Sequence, residues 1–304
     1  MMTLKALIKR NSMLFFKEKG LFFTSLITPA ILLVLYVSFL GNVYTDSLKQ
    51  AMAALPMQIE LPEQLISGFA GAQLISSILS VSAVTVAFCS NMLMVQDKAN
   101  KTLLDFNVSP VKPSVMAVGY YVATLISTLI VCFSAAAICF VYVAISGWYL
   151  SALDVLLLLL DVVLLCFFGV AISSVLNFFL SSQGQISAVG SIVSSVYGFV
   201  SGAYMPLSQF SDGLRSAIMF LPGTYGTSLV RNHAMRGVIE EMGKEGLPEE
   251  FLDSVRDNFD CNLYFFDAQV EMPAMYAVIC ATVALLIGAY VLMNVIKGKK
   301  RVGA

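Results

Sequence analysis

Histidine and tryptophan each occur once in the 304-residue chain, and charged side chains make up only 12% of it. A lone His233 cannot assemble a His-based metal site or a Ser/His/Asp triad, and the sequence contains neither HExxH nor GxSxG. The six cysteines form no CxxC. Cys89, Cys132, Cys139, Cys166 and Cys280 fall in apolar runs, where a thiol behaves as a small hydrophobe, and only Cys261 lies in a polar segment. That pattern does not make a disulfide framework. The nearest approach to a phosphate-binding loop, Gly237 to Gly243-Lys244-Glu245, is one residue too long and lacks the Ser or Thr that holds Mg²⁺. It reads as a solvated charged helix. Eighteen basic against nineteen acidic residues leave no cationic excess for nucleic acid. No catalytic residue, metal site or bound cofactor is expected on this chain.

Apolar residues are plentiful, at 58% of the chain. A soluble domain carries about 45–50% apolar and about 25% charged residues, so both departures point to lipid as the solvent. Crossing the hydrocarbon core takes roughly 20 apolar residues. Six runs qualify, at 21–40, 72–95, 114–146, 153–180, 186–205 and 272–296. The first follows basic residues as a signal peptide does, but its length, the lack of an A-x-A-like exit and the spans behind it mark a retained helix. Twelve of the eighteen basic residues lie in the N-terminal segment, in the 96–113 loop and after residue 296. By the positive-inside rule those parts are cytoplasmic. Segment 206–271, with five basic and eleven acidic residues, is then extracellular. The expected architecture is all-α, one transmembrane domain with six spans and both termini inside.

Three further segments are not plain loops. In 3–19, Leu4, Leu7, Ile8, Leu14 and Phe15 fall near one helical face with lysines opposite, the pattern of a helix lying in the membrane interface. In 206–231 the chain is weakly polar, and Leu214, Ile218 and Leu221 share a face before Pro222-Gly223 breaks the run; such short apolar stretches read as re-entrant helices. Residues 232–267 are acidic and helix-friendly, expected as a small solvated cap. The 96–113 loop has Asp97 and Lys101 at i,i+4, an apolar face of Leu103, Leu104 and Phe106, and stops at Ser109-Pro110 and Lys112-Pro113. A short amphipathic helix with nothing of its own to enclose calls for a cytosolic partner.

Within the spans, Gly190, Ser194, Gly198 and Gly202 recur every fourth residue, with Ser187, Ser191 and Ser195 on the adjacent stripe. Small residues let helices approach closely, which suits either packing within one chain or a subunit interface lining a path. Asp154 and Asp161, seven apart on the fourth span, share a face. Asp154 lies near Trp148 and Tyr149 and reads as interfacial, whereas Asp161 lies about 10 Å deeper at 1.5 Å per residue and is a candidate path acid.

Two stretches carry a family resemblance. Gln96-Asp97-Lys98-Ala99-Asn100-Lys101-Thr102-Leu103-Leu104-Asp105, followed by Ser109-Pro110-Val111, resembles the charged-Gly-Thr-Leu…Ser-Pro coupling loop of ABC-2 type ATP-binding-cassette permeases. Gly202-Ala203-Tyr204-Met205-Pro206 through Leu221-Pro222-Gly223-Thr224-Tyr225 is similar to the family's Gly…Pro…Leu-Pro…Pro-Leu-Thr-Tyr signature. Lys101 stands where glycine is usual, and Gly223 where leucine is common. The resemblance covers nearly the whole chain. It implies a non-catalytic export permease in a bacterial cell membrane, two permease chains per complex (identical or paralogous), and a separate cytosolic ATPase that carries the ATP and Mg²⁺. Asp97, Lys101, Thr102, Leu103, Leu104, Asp105, Ser109 and Pro110 would dock on that ATPase. Pro206, Leu221, Pro222 and Tyr225 would belong to an outer gate. The rival reading is a secondary transporter or channel, which calls for internal repeats or charged, broken helices at the midplane. No clear repeat is present, and Asp161 is the sole deep acid.

Overall fold

A computed structural model describes residues 2–53, 55, 59–102 and 111–302. Of the described residues, 83% are helical. The first helix, α1 (Met2–Lys17), leads into α2 (Lys19–Leu35), a π turn (Tyr36–Leu40) and α3 (Gly41–Ala53). Next come α4 (Glu63–Ser90), α5 (Met92–Ala99), α6 (Pro113–Ser146), α7 (Ala152–Phe179) and α8 (Gln183–Val200). A 3-10 turn (Leu207–Gln209), α9 (Asp212–Ile218), α10 (Pro222–Lys244) and α11 (Glu249–Asn258) follow. A two-stranded antiparallel hairpin, β1 (Leu263–Phe265) with β2 (Ala268–Val270), then delivers the chain to α12 (Met272–Val302).

Five of the described helical stretches are long and apolar enough to cross a bilayer: Phe22–Ala53, Glu63–Ala99, Pro113–Ser146, Ala152–Phe179 and Met272–Lys297. Where the fifth span was expected, the apolar helix Gly184–Val200 is shorter; its rise of about 25 Å falls just short of a hydrocarbon core of about 30 Å. Two expected spans extend further than apolarity alone indicated. The first helix runs on to Ala53 through the π turn, where Tyr36 turns inward and its hydroxyl donates to the Ala70 carbonyl at 2.5 Å. The second begins at Glu63, because most of 65–71 is buried within the protein.

Central α4 is covered by α6, α10, α7 and α2, and nearly all of it is buried. A helix enclosed all round needs no amphipathic stripe. Close approach is secured by Gly169 of α7, where a Cβ would meet the Ala83 carbonyl oxygen of α4 at 2.7 Å. The peripheral helices turn Phe23, Ile27 and Ile31 of α2, Phe133, Val141 and Ile145 of α6, and Leu285 and Leu292 of α12 outward. Helix α1 lies along α6 and buries Leu7, Asn11 and Phe15, one residue per turn.

Segment 206–271 was expected as a re-entrant stretch to 231 and a solvated cap from 232, and one helix runs across that boundary. Pro222-Gly223 starts a 23-residue helix, since proline at the first helical position gives up an N–H that has no intrahelical partner. Most of α10 is buried, and its Arg231 is fully enclosed.

Candidate functional site

At the basic end, Asp97 turns away from solvent. Its expected partner Lys101 is not the one it takes, because α5 ends at Ala99 and Lys101 sits at φ +63°. Glycine enters that left-handed region without strain, which accounts for glycine at this position in the resembling loop. Asp97 instead accepts a two-pronged bond from Arg10 of α1, at 2.7 and 3.1 Å, and a third from the Tyr120 hydroxyl of α6 at 2.5 Å. Paired forks of this kind fix orientation as well as distance. Three segments remote in sequence, α1, α5 and α6, are thereby held as one unit. Thr102 is half-buried just beyond the turn that follows α5, and Leu103, Leu104, Asp105, Ser109 and Pro110 lie outside the described residues.

The small-residue stripe divides. Gly190 packs against the Met92 methyl of α5, and Ser194 is half-buried. The face of Gly198 is filled by the Tyr204 ring of the same chain. Gly202 lies beyond the helix, which ends at Val200, and takes φ +73° in a turn, so Gly198–Gly202 is not a helical GxxxG. Ser187, Ser191, Ile192, Ser195, Val196 and Phe199 form the exposed side of α8.

At the acidic end, Pro206 precedes the 3-10 turn and Leu221 is exposed. Pro222 begins α10, and the buried Tyr225 donates its hydroxyl to the Met219 carbonyl at 2.7 Å. Arg231 and Asp260, which sequence reasoning missed, organise this region. The guanidinium donates to Asp260 Oδ2 at 3.0 Å, to the Gly202 carbonyl at 2.8 Å and to Ser76 Oγ of α4 at 3.5 Å. Asp260 also accepts from the Leu207 backbone N–H at 2.9 Å. One buried ion pair thus ties the 201–207 turn to α10 and α4. Burial pushes the Asp260 carboxyl up to about 6, against the opposing pull of Arg231 and the Leu207 N–H.

Asp161 is 1% exposed and fully engaged: His233 Nδ1 lies 2.6 Å from one oxygen, and the Tyr276 hydroxyl donates to the other at 2.5 Å. The trio joins α7, α10 and α12. His233 lines a cavity of about 270 Å³ with Asn232, Arg236, Arg256, Leu157 and Met272. Asp154 completes a capping box with Ser151 at the start of α7 and receives Arg236 Nε at 2.6 Å. The only sequence signal for these partners was chemical rarity: a single histidine, and an arginine at the end of the weakly polar 206–231 stretch. Among the described residues no cluster of three or more His, Cys, Asp or Glu could hold a metal ion.

A family model described as ABC-2 type transporter matches residues 2–234. Comparison with curated proteins and with solved structures returned no match.

Proposed function

The chain belongs to the ABC-2 type transporter family, whose members are membrane components of transport, and we propose that it is the permease of an exporter, paired with a second permease chain and driven by a separate cytosolic ATPase. The reading is carried chiefly by the Arg10–Asp97–Tyr120 clamp. It fixes the helix that leads into 103–110 to the N-terminal helix and to α6, so a push on that segment is delivered to a rigid unit rather than absorbed by a slack loop. The clustering of basic residues at this end supports a cytoplasmic position for it, in a multi-pass protein of the cell membrane. The exposed side of α8, with Ser191, Ile192, Ser195, Val196 and Phe199, is the proposed face toward the second permease chain and the path. Pro206, Leu221, Pro222 and Tyr225 lie in the proposed outer gate. ATP and Mg²⁺ belong to the partner, and this chain performs no catalysis.

The test is reconstitution in lipid vesicles with and without the cognate ATPase. ATP hydrolysis and export should both require the partner, and replacing Leu103 and Leu104 with Asp should abolish their coupling while leaving the spans folded. Hydrolysis by the purified chain alone, or unchanged coupling in the Asp variant, would overturn the proposal. An ATPase-independent transporter or channel is favoured by one observation, the buried Asp161–His233 pair beside a cavity; export that persists with no ATPase present would establish it.

A further inference from the structure

Helix α7 ends with a single long backbone cap, from the Leu180 N–H to the Asn177 carbonyl at 3.3 Å. It has no basic residue in its last turn, and it stops at Leu180 in extended backbone only two residues before Ser182 begins α8. The last carbonyls of a helix lack intrahelical donors, and together they form the negative end of its dipole. Here a cation from elsewhere meets them. Lys98, in the last turn of α5, places Nζ at 2.7 Å from the Asn177 carbonyl oxygen, 2.9 Å from that of Phe178 and 3.0 Å from that of Leu180. An ammonium group has three protons to donate, and three carbonyl oxygens stand within hydrogen-bond distance of it here. The Phe178 ring lies 5.7 Å from the same ammonium.

The other end of α5 is sewn to the same helix. Asn91, which separates α4 from α5, donates its amide to Ser173 and Ser174 of α7 at 3.0 Å each, and Asn177 reaches back to the Asn91 carbonyl at 3.5 Å. All four side chains are buried. Met92 of α5 meanwhile rests on Gly190 of α8. The short helix is fastened at both ends to the last two turns of α7 and touches the helix that follows.

We propose that Lys98 is a positioning residue for coupling: it locks the C-terminal end of α5 to the 180–182 turn, so that displacement of α5 by the ATPase swings α8 through that turn. This rests on the permease reading above. An ordinary structural cap would stabilise α7 without making the motion of α8 depend on the ATPase, and that difference is measurable.

The experiment uses the reconstituted permease–ATPase complex. Lys98→Met removes charge and donors; Lys98→Arg keeps a charged donor whose planar fork serves fewer of the three carbonyls. Lys98→Met should assemble and hydrolyse ATP at the basal rate, but export per ATP should fall by about tenfold or more, with Lys98→Arg restoring it to within about threefold. Spin labels at Asn100 and Ser181 should hold a constant separation through the ATP cycle in the Lys98 protein and separate in Lys98→Met. Wild-type coupling in Lys98→Met, or labels that move apart by several ångströms while Lys98 is present, would overturn the proposal. If Lys98→Met does not assemble, the label separation in the unmutated complex decides. Absence of ATP-dependent export from the unmutated complex would instead count against the permease reading.

Discussion

Replacing Arg231 with Met removes the cation at the heart of the acidic end. Two losses follow. The Gly202 carbonyl, buried and previously bonded at 2.8 Å, loses its donor, which costs about 1–3 kcal/mol. The Asp260 carboxylate loses its counter-charge, but this loss is capped, because the group can retreat by taking up a proton. With Arg231 present it is already raised to about 6, so neutralising it at pH 7 costs about 1.4 kcal/mol at most, and without Arg231 it costs less. The total is about 2–4 kcal/mol at pH 7. The sign of its pH dependence follows from linkage. A carboxyl raised above its unfolded value of about 3.9 favours the native state as pH falls, and that contribution is lost as pH rises through the folded value. In the parent protein the loss is complete just above pH 6. In Arg231→Met the folded value climbs further, so stability keeps falling at about 1.4 kcal/mol per pH unit beyond that point. The deficit should therefore be smaller at pH 5 than at pH 8, by about 1 kcal/mol or more. Combining the change with Asp260→Asn should erase the difference. Unfolding of the detergent-solubilised protein at pH 5, 6.5 and 8 reads all of this. A deficit that is pH-independent, or below about 0.5 kcal/mol throughout, refutes the reasoning.

The remaining predictions concern single contacts. Asp97→Ala removes the two-pronged acceptor of Arg10, which keeps its bond to Asn11 Oδ1 at 2.8 Å and at 31% side-chain exposure can partly rehydrate, so the expected loss is about 1–3 kcal/mol with weakened coupling to the proposed ATPase; Tyr120→Phe should lose about half as much, and equal losses in unfolding assays would contradict the fork as the main bond. Lys101→Gly relieves a positive φ and should raise stability by up to about 1 kcal/mol in the same assay; destabilisation would mean that the lysine side chain holds the turn. His233→Phe leaves the buried Asp161 with Tyr276 alone and should lower stability by about 3 kcal/mol while export by the folded fraction is retained; selective loss of export would make Asp161 a path residue rather than a brace.

The parts of the fold most legible in the chain are those that lipid dictates. Apolar runs of span length and lysines at 98, 101 and 112 need no tertiary information, because each is a statement about the solvent around a segment. The first span's continuation to Ala53 was hidden because its last turns bury only Tyr44 and Leu48 and otherwise look polar. Side-chain partners were less accessible. Asp97 had a plausible local partner in Lys101, yet it takes Arg10 from 87 positions away, since helix α1 docks on α6 beside it. Arg231 and Asp260 are 29 apart in a segment whose overall acidity suggested solvent. Spacing alone joined Gly198 to Gly202; it could not show that the helix stops at Val200 and that a tyrosine fills the groove.

The account depends on the 96–113 segment facing the cytosol. In a version lacking the native cysteines, Asn100→Cys should react with a membrane-impermeant thiol reagent in inside-out vesicles and stay unlabelled in right-side-out cells, with Lys244→Cys showing the opposite pattern. Labelling of residue 100 from the outside would put the docking segment beyond reach of a cytosolic ATPase and contradict the account.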